Sequence, residues 1–408
     1  MYQNLGREVS SHWSRRVRAL VVAVTAVLAT VVFPVAAAAD HRLGQHTVAR
    51  GLDNPRGLAF LPDGRLAVAE AGHAGDLCLG PGQCVGLNGQ VIAVMPGNGR
   101  QTALATGLPS LGGPFGPFGL GGLAVQRGKL YSIVGLNPQA FGNPADDCTG
   151  APDVNGCVAT LTAVVNDAGV LNQLKSLTSN QGWINFAGVG RFDFDYAAAH
   201  PDPGNPEYMP GDANPFGVIA GPAGGFYVID AASNTLDFVS AHGDISVLAF
   251  IPDPPHHKPI YDAAPTCAAR TPNGNLIIAT ESSSLWRWNG KKLTEILSGG
   301  KLGQVVGCVA DSNGNVYLAN LAAKIRGSFP NFNEKPFDGS IVKVTPKLKT
   351  SYILKGVNFP TGLTLGPDGH LYVALNGLCP SDLSLLTSQN SPPGGCPASG
   401  KVVRLEGP

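Results

Sequence analysis

Three oxygen-bearing residues recur at one register of a repeated pattern: Glu70, Asp230 and Asn320 each close the second apolar segment of their repeat. Carboxylate and amide oxygens that converge from several segments suit a hard cation, and Ca²⁺ is the ion such a set would favour. The same residue types also accept hydrogen bonds from loop backbone, their commoner role when buried. For this trio both readings stay open, a metal or ligand site and a loop anchor. A denser polar group is Asp193 and Asp195, followed by His200, Asp202 and Glu207. In an extended chain Asp193 and Asp195 would share a side. The stretch lacks the glycine and terminal glutamate of an EF-hand loop, so solvated loop charge accounts for it. His256 and His257 lie among prolines, where they would suit metal or base chemistry, or an ordinary surface position. Phe115 and Phe118 offer an apolar ligand contact or lid, or packing over neighbouring strands. The chain has no Gly-x-Ser-x-Gly elbow, His-Glu-x-x-His helix or phosphate loop, which removes the mechanisms built on those motifs. No catalytic residue is assigned.

The elements that must position these residues are short strands. Pro55–Phe60, a turn at Pro62-Asp63-Gly64 and then Leu66–Ala69 make one pattern, which Pro360–Leu365, Pro367-Asp368-Gly369 and Leu371–Ala374 repeat closely. Looser versions start at Gly122, Pro215, Cys267 and Gly307. Apolar runs of this length bounded by Gly, Pro and Asp read as buried strands, and their recurrence predicts a propeller. The fold expected is all-β: a six-bladed β-propeller of four-stranded blades. The blades span roughly 55–108, 121–179, 215–252, 265–300, 305–356 and 360–407. The last has only three strands, and the segment 46–52 would complete it and close the ring.

In such a blade the b–c and d–a loops open on one face, where a–d are the strands from the centre outward. The long insertions at 71–89, 137–156, 322–339 and 376–400 are b–c loops, and 180–214 and 253–265 are d–a loops. All therefore decorate the same face, and loops on a rigid scaffold are where binding usually resides.

The chain has 408 residues, no formal net charge, 44% hydrophobic and 14% charged residues, with 54 Gly and 33 Pro. That balance argues against a nucleic-acid partner. Arg15, Arg16 and Arg18 precede an apolar run from Ala19 to Val35 and then Ala36–Ala39, so residues 1–39 read as a signal peptide cut before Asp40. An uncleaved anchor is the alternative. The expected location is secreted, periplasmic or extracellular, with no membrane contact after cleavage. All eight cysteines follow this segment, and an even number in an exported chain reads as disulfides. Cys78 with Cys84, Cys148 with Cys157 and Cys379 with Cys396 are close in sequence, which leaves Cys267 and Cys308. Counted from the turn glycines Gly274 and Gly314, these two point to opposite faces of neighbouring sheets, as an inter-blade disulfide requires; two free buried thiols are the alternative.

Val48–Gly72, Asn214–Val218 with Tyr227–Ala231, and Pro360–Ala374 resemble the ScyD/ScyE family, in order and over most of the chain from His46 to Leu405. The resemblance implies an exported NHL-like propeller and no established reaction. The stretch Gly51–Glu70 is also similar to quinone-dependent sugar dehydrogenases and, more loosely, to lactonase-type propellers. The leading expectation is a binding or accessory protein whose loop-rich face takes a small molecule, glycan or protein. The alternative is a metal- or quinone-dependent propeller enzyme of lactonase or sugar dehydrogenase type.

Overall fold

The computed structural model describes residues 44–73, 75, 77–80, 83–111, 117–135, 187–200, 213–254, 262–323, 327–328, 331–332, 336–378 and 399–407. All lie in one compact unit, Arg42–Pro408. The expected signal peptide, Phe115, Asp202, Glu207, His256, His257, Cys148, Cys157, Cys379 and Cys396 lie outside the described residues.

The chain folds as a β-propeller of four-stranded antiparallel blades. After β1 (Gln45–Leu52), the first blade takes β2 (Pro55–Phe60), β3 (Leu66–Glu70), β4 (Leu77–Gly80), β5 (Gln83–Val94) and β6 (Gln101–Leu111). Strands β2, β3, β5 and β6 are its four rungs, and β4 pairs with the far end of β5. The second repeat contributes a pair, β7 (Gly119–Gln126) and β8 (Lys129–Gly135), followed by helix α1 (Ala187–Ala199). The next two blades are β9 (Pro215–Ala220), β10 (Phe226–Asp230), β11 (Thr235–Val239) and β12 (Ile245–Phe250), then β13 (Pro265–Arg270), β14 (Leu276–Thr280), β15 (Ser284–Trp288) and β16 (Leu293–Ser298). Another combines β17 (Val305–Ala310), β18 (Val316–Asn320), β21 (Gly339–Val344) and β22 (Thr350–Val357), with a small hairpin of β19 (Gly327–Ser328) and β20 (Asn331–Phe332) between its middle strands. The last holds β23 (Leu363–Leu365), β24 (Leu371–Leu375) and β25 (Gly400–Leu405), with β1 paired antiparallel to β25 as its fourth strand.

Five complete blades are present among the described residues, and the second repeat adds the pair β7 and β8. Two expectations need correction. The insertion at 71–89 is a strand extension rather than a loop, because β5 begins at Gln83 and its register sets Cys84 opposite Cys78. The stretch expected as a loop before Asn214 contains α1.

The second strands β3, β14, β18 and β24 are buried throughout because each sheet is covered on both faces by its neighbours. One apolar cluster joins Val48, Tyr372 and Val402 to Leu58, Val68 and Ile92, and another joins Cys267, Ile277 and Leu285 to Val316 and Leu318. The turn at Pro62-Asp63-Gly64 closes with the Gly64 N–H on the Leu61 carbonyl at 2.9 Å, and Gly64 takes a φ of +84°. Positive φ costs glycine little, hence its place there.

Seven residues before each turn glycine stands the position where the first strands meet. It holds Gly57, Gly121, Gly217, Gly307 and Gly362, with Cys267 as the exception. A Cβ at Gly217 would lie 2.6 Å from the Thr266 carbonyl oxygen, and one at Gly121 would lie 2.7 Å from that of Phe216. Adjacent first strands thus approach backbone to backbone, a distance only glycine tolerates. At the exception, Cys267 of β13 bonds Cys308 of β17, with Cα atoms 5.8 Å apart.

Candidate functional site

Residues of β2, β7, β9, β13 and β17, together with Thr361–Leu365, line one cavity of about 410 Å³. Its wall is backbone, glycine and apolar side chain, and among the described residues Arg56 is the only charged lining group. Arg56 precedes Gly57, so its equivalents are the residues just ahead of the glycine register: Leu120, Phe216, Thr266, Val306 and Thr361. The two threonines turn inward on the scaffold. The Thr361 hydroxyl donates to the Pro55 carbonyl at 2.6 Å and that of Thr266 to the Val305 carbonyl at 2.7 Å, each latching its strand to the next.

Arg56 differs. Among the described residues its one hydrogen bond runs from Nη2 to the Pro117 carbonyl, 3.2 Å away. Protein surrounds the guanidinium while part of its surface still faces the channel, and this desolvation lowers its pKa to about 10, against the opposing field of Glu281. It remains a cation at neutral pH. Glu281 follows β14, and Gln304, just ahead of β17, donates Nε2 to Glu281 Oε2 at 2.9 Å.

The trio singled out by register is placed differently. Glu70, Asp230 and Asn320 end β3, β10 and β18 and are buried. Glu70 Oε2 accepts from the Asp53 N–H at 2.8 Å and from Gln90 Nε2 at 3.2 Å. Asp230 Oδ1 accepts from the N–H groups of Asn214, Ala232 and Ser233 at 2.8–2.9 Å. Asn320 Oδ1 accepts from the Gly303 N–H at 3.2 Å, and its Nδ2 donates to the Lys301 carbonyl at 3.0 Å and to Ser340 Oγ at 3.1 Å. Each side chain thus ties the end of a second strand to the segment that leads into the first strand of its own blade. None of the three lines the cavity, and no hydrogen bond joins them to one another. Burial raises the Glu70 pKa to about 7, with the nearby Asp53 charge adding to the rise and the two donors opposing it.

Asp230 has other company. Because residues 187–199 are helical, Asp193 and Asp195 cannot share a side; Asp193 is fully buried and Asp195 is exposed. Asp193 meets Asp230 and Asp237, both fully buried. Among the described residues, four oxygens of this group, both of Asp193, Oδ2 of Asp230 and Oδ1 of Asp237, have no donor. Desolvation first, and then mutual repulsion, raises the pKa of Asp193 and Asp237; Asp230 is raised by desolvation against its three N–H donors. His200 is bonded through Nδ1 to the Tyr196 carbonyl at 2.9 Å and stacks on that ring. Phe118 is half-buried. Among the described residues no set of three or more His, Cys, Asp or Glu side chains is arranged to hold a metal ion, and no helix is long and apolar enough to cross a membrane.

Arg56 and Glu281 escaped the sequence reading. The one available signal was Arg56 itself, a charge at a register otherwise held by apolar residues and threonine.

No family model matches the chain, and no curated protein matches it. Solved structures do resemble it. Virginiamycin B lyase from Staphylococcus aureus is 11% identical at a TM-score of 0.44, covering 89% of this chain and 98% of that one. A gluconolactonase from Xanthomonas campestris is 10% identical at 0.43, covering 89% and 91%. A Bacteroides thetaiotaomicron protein of unknown function is 9% identical at 0.49, covering 88% and 75%.

Proposed function

We propose that this chain is an exported binding or accessory protein, a closed six-bladed propeller that takes its ligand at the mouth of the central cavity. One observation carries the reading: the cavity is walled by the first strands of all six repeats and, among the described residues, has a single charged side chain in its lining, Arg56. A rigid apolar wall with few placed polar groups is the usual form of a small-molecule site. The pairing of β1 with β25 and the glycine contacts, including Gly362 against the Arg56 carbonyl, support the closed ring. The resemblance to the ScyD/ScyE family agrees with export. The loops that join second to third strands and blade to blade form the binding face, and a small molecule or a glycan end is the occupant that suits the cavity.

Hydrogen exchange on the chain from Asp40 onward, with and without hits from a metabolite panel, tests this. The expected result is slower exchange at Arg56, Gly122 and Val306, around the cavity mouth. Protection confined to the opposite rim, at the turns of Gly64 and Gly369, would overturn it.

A further inference from the structure

Resting on that reading, we propose that the ligand is a small monocarboxylate, its carboxylate gripped by Arg56 in the cavity wall. The argument starts from what Arg56 lacks. A guanidinium carries five N–H donors in a planar fork, and here a single bond to Pro117 uses one of them. No salt bridge joins it to a carboxylate among the described residues. A desolvated cation without a partner is unfavourable in a static scaffold. The equivalent threonines Thr266 and Thr361 perform the latching task without charge, so latching alone does not call for an arginine. Arg56 lines a cavity with no other charged lining group among the described residues.

The class of anion follows from the single charge: Arg56 is the only charged group among the described lining residues. One guanidinium satisfies one carboxylate in the bidentate geometry, whereas a phosphate monoester, with charge near −2, would leave an excess negative charge against an otherwise apolar wall. The cavity of about 410 Å³ lies at the small end of ligand sites, which favours a compact acid over a long chain.

The test is ligand-observed NMR and calorimetry on the mature protein with matched probes: hydroxy-, aromatic and aliphatic monocarboxylates, the neutral amide of each, and inorganic phosphate. The expected result is that acids bind and their amides do not, and that Arg56→Gln weakens the acids by roughly tenfold or more. Arg56→Lys, which keeps the charge and loses the fork, should restore only part of the affinity. The comparison of each acid with its amide is made on the parent protein, which keeps the test valid if Arg56 variants do not fold. Amides that bind as well as acids, with the mouth amides protected, would overturn the carboxylate assignment and leave the cavity site standing. No probe binding and no protection at the mouth would overturn both.

Discussion

Cys267 bonds Cys308 between neighbouring blades, from the one register position at which the other five repeats carry glycine. The exception has a physical logic. Where glycine lets two first strands touch, cysteine supplies a Cβ that would hold them apart, and the covalent bond replaces the lost contact. The bond also sits in the cavity wall, since Cys267 and Cys308 both line it.

The disulfide closes a loop of sequence separation 41, for which chain entropy alone predicts about 4 kcal/mol, an upper figure for real proteins. The double variant Cys267→Ala, Cys308→Ala should therefore melt well below the parent under oxidising conditions. Equal melting temperatures would show that the two blades are held by packing alone.

Glu70 separates two roles that sequence leaves mixed. If it anchors Asp53, Glu70→Gln keeps an acceptor for that N–H and removes a costly buried charge, while Glu70→Ala strands the donor at about 1–3 kcal/mol. Its pKa is raised, to about 7, so the folded chain binds this proton more tightly than the unfolded one. The stability it contributes is complete below the ordinary carboxylate range and is lost as pH rises through about 7. Chemical denaturation from pH 5 to 9 should show Glu70→Gln gaining on the parent toward pH 9. A Gln variant as unstable as the Ala variant at pH 8 would count against the anchor.

Asp193, Asp230 and Asp237 make a sharper case. All three pKa values are raised, so the same sign applies: stability is greatest at low pH and declines as pH climbs above the carboxylate range, by up to about 1.4 kcal/mol per pH unit for each proton withheld. Asp193→Asn removes one titrating carboxyl and supplies N–H donors toward the oxygens of Asp230 and Asp237 that have no partner among the described residues. Its profile should be flatter, and the variant more stable than the parent above neutrality. Parallel profiles would mean that Asp193 is not buried against the pair in solution.

Much of the architecture was legible locally. The strand pattern, the Pro-Asp-Gly turns and the four-stranded blades follow from short-range preferences for φ, for alternation and for burial. Cys267 and Cys308 were legible too, because counting from a turn glycine fixes the face on which a strand residue points. The helix Ala187–Ala199 was not, since its glycines and aromatics carry no clear period and its one buried acid reads as solvated charge. The roles of Glu70, Asp230 and Asn320 were only half visible. Register showed that they are equivalent, but not that loop N–H groups stand within hydrogen-bond reach.

By itself, then, the sequence determined the repeat, its register and the cysteines that depart from it, because each depends on residues a few positions apart. The tertiary structure decided which charges meet. Arg56 and Glu281 are 225 residues apart and on different repeats, and Asp193 reaches Asp230 and Asp237 from another element altogether. Electrostatic energy depends on distance through space and on the water excluded from between the groups, and neither is written in the spacing of residues along the chain.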